Sequence, residues 1–170
     1  MLESFAPFGV GLLLLVIERF VVQLLPLGVF RPELVLPFVL DLGLHEQHRR
    51  RSLLTAFALG YLLDIFSGAP IGIHAFTMVL LLLFSQTAQL RLFLQGAPFQ
   101  ILLTFCAVVI STVVIFVLRA IFERVPIGAG AVVGMLLPHA VATAVFAPLV
   151  FWFATALLGR RTVARARVGL

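Results

Sequence analysis

The chain has 170 residues, 62% of them hydrophobic and 11% charged, with a formal net charge of +5 and a mean hydropathy of +1.20. A soluble domain carries about 45–50% apolar and about 25% charged residues. Too little polar surface exists here to cover a water-soluble globule, so the composition reads as an integral membrane protein. The positive charge is not a nucleic-acid signal, because the basic residues, all Arg, lie mostly at the chain end or between apolar segments, where membrane orientation accounts for them.

A spanning helix needs ~20 mainly apolar residues to cross ~30 Å of hydrocarbon. Hydropathy marks six such segments in one transmembrane domain over 1–170, the fold class being all-α. The first, 5–29, begins "MLESFAPFGVG", with Glu3 where a signal peptide has basic residues and no small-residue cleavage site after the apolar run, so it is expected to be retained. It carries Glu18 and Arg19 side by side, which places them on different sides of a helix. The second, 32–44, reads "RPELVLPFVLDLGL"; Pro37 predicts a kink and Asp41 a charge near the cytoplasmic side. The loop "HEQHRRRS" follows, with His45 and His48 flanking Arg49, Arg50 and Arg51 in a solvated setting.

The third segment, 52–67, ends in Asp64 and the turn "SGAPIG". Like the second it is short, giving only ~20–24 Å of helix, so both must recruit flanking residues, tilt little or thin the bilayer. In the turn, Gly supplies backbone angles other residues resist, Pro stops a helix, and the Ser67 hydroxyl can cap a helix end. The fourth and fifth segments are 71–90 and 97–122. The latter holds the lone Cys106, read as a small buried hydrophobe and unable to form a disulfide or cysteine metal site within one chain. The sixth, 131–158, is entered through "GAGAVVG", whose small residues permit close packing or form a plain loop, and it carries His139. No alternation of a membrane β-barrel appears, nor a repeat of 20–50 residues, nor a stretch able to hold a soluble domain.

With six spans, Arg49, Arg50, Arg51, Arg91 and the tail residues Arg160, Arg161, Arg165 and Arg167 all fall on one face, against Arg31, Arg119 and Arg124 on the other. The excess places both termini in the cytoplasm, and the tail arginines are expected to meet anionic headgroups. Ionisable residues within spans are functional candidates by default; they are Glu18, Arg19, Asp41, Asp64, Arg119 and His139. Helix rise puts Asp64 and Arg19 ~20 Å from the cytoplasmic side, with His139 at a similar level. A buried polar contact of Asp64 with Arg19 or His139 is therefore expected, since a lone carboxylate in hydrocarbon must neutralise or find a partner. The catalytic alternative finds little support, because no serine-nucleophile motif or His pair at helical spacing occurs and Asp41 lies at another depth. No metal or cofactor is expected.

Gly60, Asp64, Gly68, Pro70 and Gly72 form G-x3-D-x3-G-x-P-x-G at the end of the third of six segments, after an Arg-rich loop and a Pro-containing second segment. In this pattern the chain resembles the MreD family, the rod shape-determining membrane proteins of bacterial cell-wall elongation. The Glu18–Arg19 pair has no counterpart in the family pattern. The resemblance implies a non-enzymatic scaffold in the bacterial cytoplasmic (inner) membrane. Its implied partners are an MreC-like bitopic protein, a RodA-type glycosyltransferase with its transpeptidase, and the MreB filament. It also implies a compact bundle similar to the substrate-binding subunits of energy-coupling-factor transporters, which supplies a second reading, a vitamin-like transport subunit. One Trp and one Tyr beside seventeen Phe are poor material for a polar vitamin site.

Overall fold

The computed structural model describes residues 6–24, 33–45, 49–68, 70–91, 97–122 and 129–158. They form six helices, α1 (Ala6–Leu24), α2 (Val35–His45), α3 (Arg49–Ser67), α4 (Ile73–Arg91), α5 (Ala97–Phe122) and α6 (Ala129–Leu157), with no strand among the described residues. They fall on the six apolar segments read from hydropathy. α5 over Pro98–Ile121 and α6 over Leu136–Leu157 are each long and apolar enough to cross a membrane, whereas Val35–His45 and Ile73–Ala88 are apolar but shorter.

The polarity of the bundle is inverted relative to a water-soluble domain. Large apolar side chains are exposed on every long helix, among them Phe20, Leu54, Phe76, Leu102, Leu149 and Trp152. The buried set, by contrast, includes Glu18, Asp41, Asp64, Ser85, Ser111 and Thr143. Buried hydroxyls bond back to their own helices: Thr77 Oγ1 donates to the Ile73 carbonyl at 2.8 Å and Ser85 Oγ to that of Leu82 at 2.9 Å. An apolar shell around a polar-spotted interior suits a hydrocarbon solvent, which rewards internal pairing of polar groups and costs nothing at an exposed Leu.

α2 lies at the centre and packs against each of the other five helices, while the α3–α4 and α5–α6 pairs form extensive hairpin contacts around it. Every residue from Val35 to Leu44 is buried. A helix apolar on all sides is a core helix or a membrane span, and at 11 residues α2 covers only about 16 Å. Its shortness goes with enclosure in protein along almost its whole length. Gly43 lets α2 approach α4, since a side chain there would run into Ser85 Oγ and the Leu82 carbonyl. The position of Pro37 does not require the kink expected there. Pro37 lies in the first turn of α2, where its missing N–H removes no intrahelical bond. Prolines do stand inside α6, at Pro138 and Pro148. Cys106 is likewise corrected, being exposed on the outer side of α5.

Candidate functional site

The site is built where α3 ends and α4 begins. The φ of Gly68 is +65°, the left-handed conformation that closes a helix C-terminus, and Ser67 Oγ donates to the Asp64 carbonyl at 3.3 Å. The chain then turns through Pro70 to Gly72, whose φ of +108° no L side chain adopts readily. The Gly72 carbonyl accepts from Phe76 N–H at 2.9 Å, and Ile73 N–H reaches the Pro70 carbonyl at 3.4 Å. Gly72 is thus the N-cap of α4, and it has no side chain with which to cap.

Asp64 supplies the cap from the neighbouring helix. Its Oδ2 accepts from Gly72 N–H at 2.8 Å and Ala75 N–H at 3.2 Å, and its Oδ1 accepts from His74 N–H at 2.8 Å. The His74 ring adds a contact from Nδ1 to Oδ1 at 2.9 Å, which fixes the proton on that nitrogen when the ring is neutral. The first N–H groups of a helix have no partner within it, and a carboxylate is favoured there by the helix dipole as well. Gly60, one turn before Asp64 on the same face of α3, makes the reach possible. A Cβ at position 60 would stand 2.5 Å from Ala75 Cα and 2.7 Å from the His74 carbonyl oxygen. Gly60, Asp64, Gly68, Pro70 and Gly72 therefore form one device that seats the start of α4 against α3.

The expected partners of Asp64 were Arg19 and His139, and its carboxylate bonds to neither. Those two residues belong to a second polar cluster at the start of α2. There Glu18 Oε2 accepts from Leu34 N–H at 2.7 Å and Val35 N–H at 3.2 Å, while Glu33 N–H donates to Thr143 Oγ1 of α6 at 3.2 Å. His139 Nε2 lies 3.5 Å from Glu33 Oε1, and Arg19 is half-buried on α1. Glu18 thus has a role the sequence pattern left open, as the cap of α2. Glu33 and His74 were not singled out in the sequence, although Glu33 lies in the second segment and His74 stands two residues after Gly72 of the motif. At the other end of α2, fully buried Asp41 pairs with His45 at 2.8 Å, one turn along.

Of the orientation arginines, Arg49 and Arg50 are exposed in the first turn of α3 and Arg51 is half-buried. Arg160, Arg161, Arg165 and Arg167 lie outside the described residues, as do Arg31, Arg124 and His48. Beside the motif turn, Pro70, Ile71, Gly72, Ile73 and Phe76 face Leu118 of α5 across a cavity of about 280 Å³. Among the described residues no three His, Cys, Asp or Glu side chains are grouped as a metal site needs.

No curated protein and no solved structure matches the chain. A family model, rod shape-determining protein MreD, matches residues 4–160. That match covers all six helices and both capped helix starts, and the chain therefore belongs to the MreD family of membrane proteins, whose role is in determining rod shape.

Proposed function

We propose that the chain is a non-enzymatic scaffold of the cell-wall elongation machinery, with six helices crossing the bacterial cytoplasmic membrane and both termini in the cytoplasm. On this reading it holds an MreC-like bitopic protein, and through it a RodA-type glycosyltransferase and its transpeptidase, close to the cytoplasmic MreB filament. The family match over residues 4–160 carries the proposal. Two features support it. The carboxylates of Glu18 and Asp64 are engaged by backbone N–H groups, which is the work of a structural acid. The Arg-rich start of α3 suits the cytoplasmic face by the positive-inside rule.

A vitamin-like transport subunit needs a pocket with convergent polar groups. The cavity beside the turn, lined by Pro70, Ile71, Gly72, Ile73, Phe76 and Leu118, does not supply such groups. Affinity purification from native membranes in mild detergent tests the two readings. Recovery of an MreC-like protein with a single span is expected, and recovery of an ATPase module in its place would overturn the scaffold.

A further inference from the structure

The three described histidines each have a carboxylate beside them: His45 with Asp41, His74 with Asp64 and His139 with Glu33. The first two contacts need no charge on the ring. His45 and Asp41 stand one turn apart in α2, at 2.8 Å, so their pairing ties in no second helix. Asp64 is held to the start of α4 by three backbone N–H groups, and a neutral His74 still donates to it from Nδ1 at 2.9 Å. His139 and Glu33 differ on both counts. They join α6 to the residues just before α2, and their 3.5 Å separation is long for a hydrogen bond. A neutral ring holds weakly at that distance, whereas an imidazolium attracts a carboxylate there.

α6 meets residue 33 twice. Thr143 Oγ1 accepts from the Glu33 N–H at 3.2 Å, and His139, one turn earlier on the same face of α6, meets the Glu33 side chain. The first contact is indifferent to pH. The second follows the charge of the ring, and histidine takes up its proton near neutrality, at ~6.5 in an ordinary setting. Both side chains are partly exposed, His139 by 22% and Glu33 by 35%, so protons can reach them. The other charged groups of the helices at this end are Glu18 and Arg19 of α1, Asp64 of α3, His74 of α4 and Arg119 of α5. Arg19 and His74 lie close enough to attract the Glu33 carboxylate, and Glu18 to repel it. Arginine keeps its charge throughout, so Arg19 supplies no switch, while a charged His74 pulls in the same direction as His139.

We propose that Glu33 and His139 form a pH-sensitive clasp that fastens α6 to the start of α2, at the end of the bundle opposite Arg49, Arg50 and Arg51. It is tight when the His139 ring is protonated and reduced to the Thr143 bond when the ring is neutral. A ring that gains a carboxylate on folding stabilises the fold below ~6.5, and the gain fades as pH rises through neutrality. The clasp goes beyond the scaffold reading and does not depend on it. The test is a double-mutant cycle on the full chain in detergent, melted near pH ~5.5 and near pH ~8, with Glu33→Gln, His139→Gln and the two combined. Other titrating pairs, Asp64 with His74 and Asp41 with His45 among them, cancel in the cycle. The coupling between positions 33 and 139 is expected to be worth roughly 2–4 °C in melting midpoint at the lower pH, the shift of one moderate ion pair in a chain of this size. It should vanish at the higher pH. His139→Arg, which keeps a charge at both pH values, restores the coupling to Glu33 at the higher one. Coupling of equal size at both pH values, coupling at neither, or His139→Arg without coupling at the higher pH overturns the clasp. Where His139→Gln does not fold, Glu33→Gln alone decides. It should lower the midpoint more at the lower pH than at the higher, and that difference should shrink in the His139→Arg background; an unchanged difference overturns the clasp as well.

Discussion

Two helix starts in this bundle solve the same problem with different materials. α2 and α4 both begin with N–H groups that are at least partly buried, and each is capped by an acid from the helix before it: Glu18 of α1 for α2, Asp64 of α3 for α4. At α4 the acid lies eight residues before Gly72, the turn is tight, and both carboxylate oxygens are used together with the His74 ring. At α2 the connection is longer, one carboxylate oxygen accepts both N–H groups, and Thr143 of α6 takes the Glu33 N–H beside them. The compact arrangement leaves a pattern in the sequence, because turn, glycine and acid must keep fixed offsets. The dispersed one leaves almost none, because its parts come from α1, α2 and α6.

That contrast orders the expected effects of substitution. Asp64→Ala strands three backbone donors and a histidine in the interior, and should cost roughly 3–5 kcal/mol. Thermal unfolding of the purified chain in detergent would show this, with Asp64→Asn intermediate because one acceptor oxygen remains. Gly60→Val should follow at roughly 3 kcal/mol, since its side chain meets α4 backbone and not a movable side-chain end. Its signature is loss of the α3–α4 contact, readable by cross-linking engineered cysteine pairs between those helices. Glu18→Ala comes next at about 2 kcal/mol, because Thr143 still holds part of the α2 start. If Glu18→Ala proves costlier than Asp64→Ala in the same melts, the ranking of the two caps is reversed. Thr143→Val is expected to be the mildest, about 1 kcal/mol; combined with Glu18→Ala it should cost more than the sum of the two singles, because each then lacks the other's support.

The motif turn was legible because backbone conformation is written in residue type: Gly68 and Gly72 have positive φ and Pro70 interrupts between them. What Asp64 binds was not legible. Charge balance pointed to Arg19 and His139, yet the start of α4 offers donors only eight to eleven residues away, and a helix start attracts a carboxylate as an opposite charge does. The role of Glu18 was hidden for a related reason, since its receivers are main-chain groups of Leu34 and Val35 with no side-chain signature. Hydropathy also treats lipid and protein as the same apolar surroundings. It found α2 but not that five helices enclose it, and only the shortness of segment 32–44 hinted that it was no ordinary span. Cys106 failed in the opposite direction, because an exposed position on α5 is as apolar in environment as a buried one.

The start of α2 also sets an order of assembly. The segment is too short to span on its own, and of the described helices only α1 precedes it, holding its start through Glu18. Its second support, Thr143, lies in α6, the last of the described helices. The central pillar of the bundle is thus started by the first helix and locked by the sixth. A chain truncated before α6 would carry every residue of the motif turn and still lack the bond from Thr143 that closes the start of the pillar.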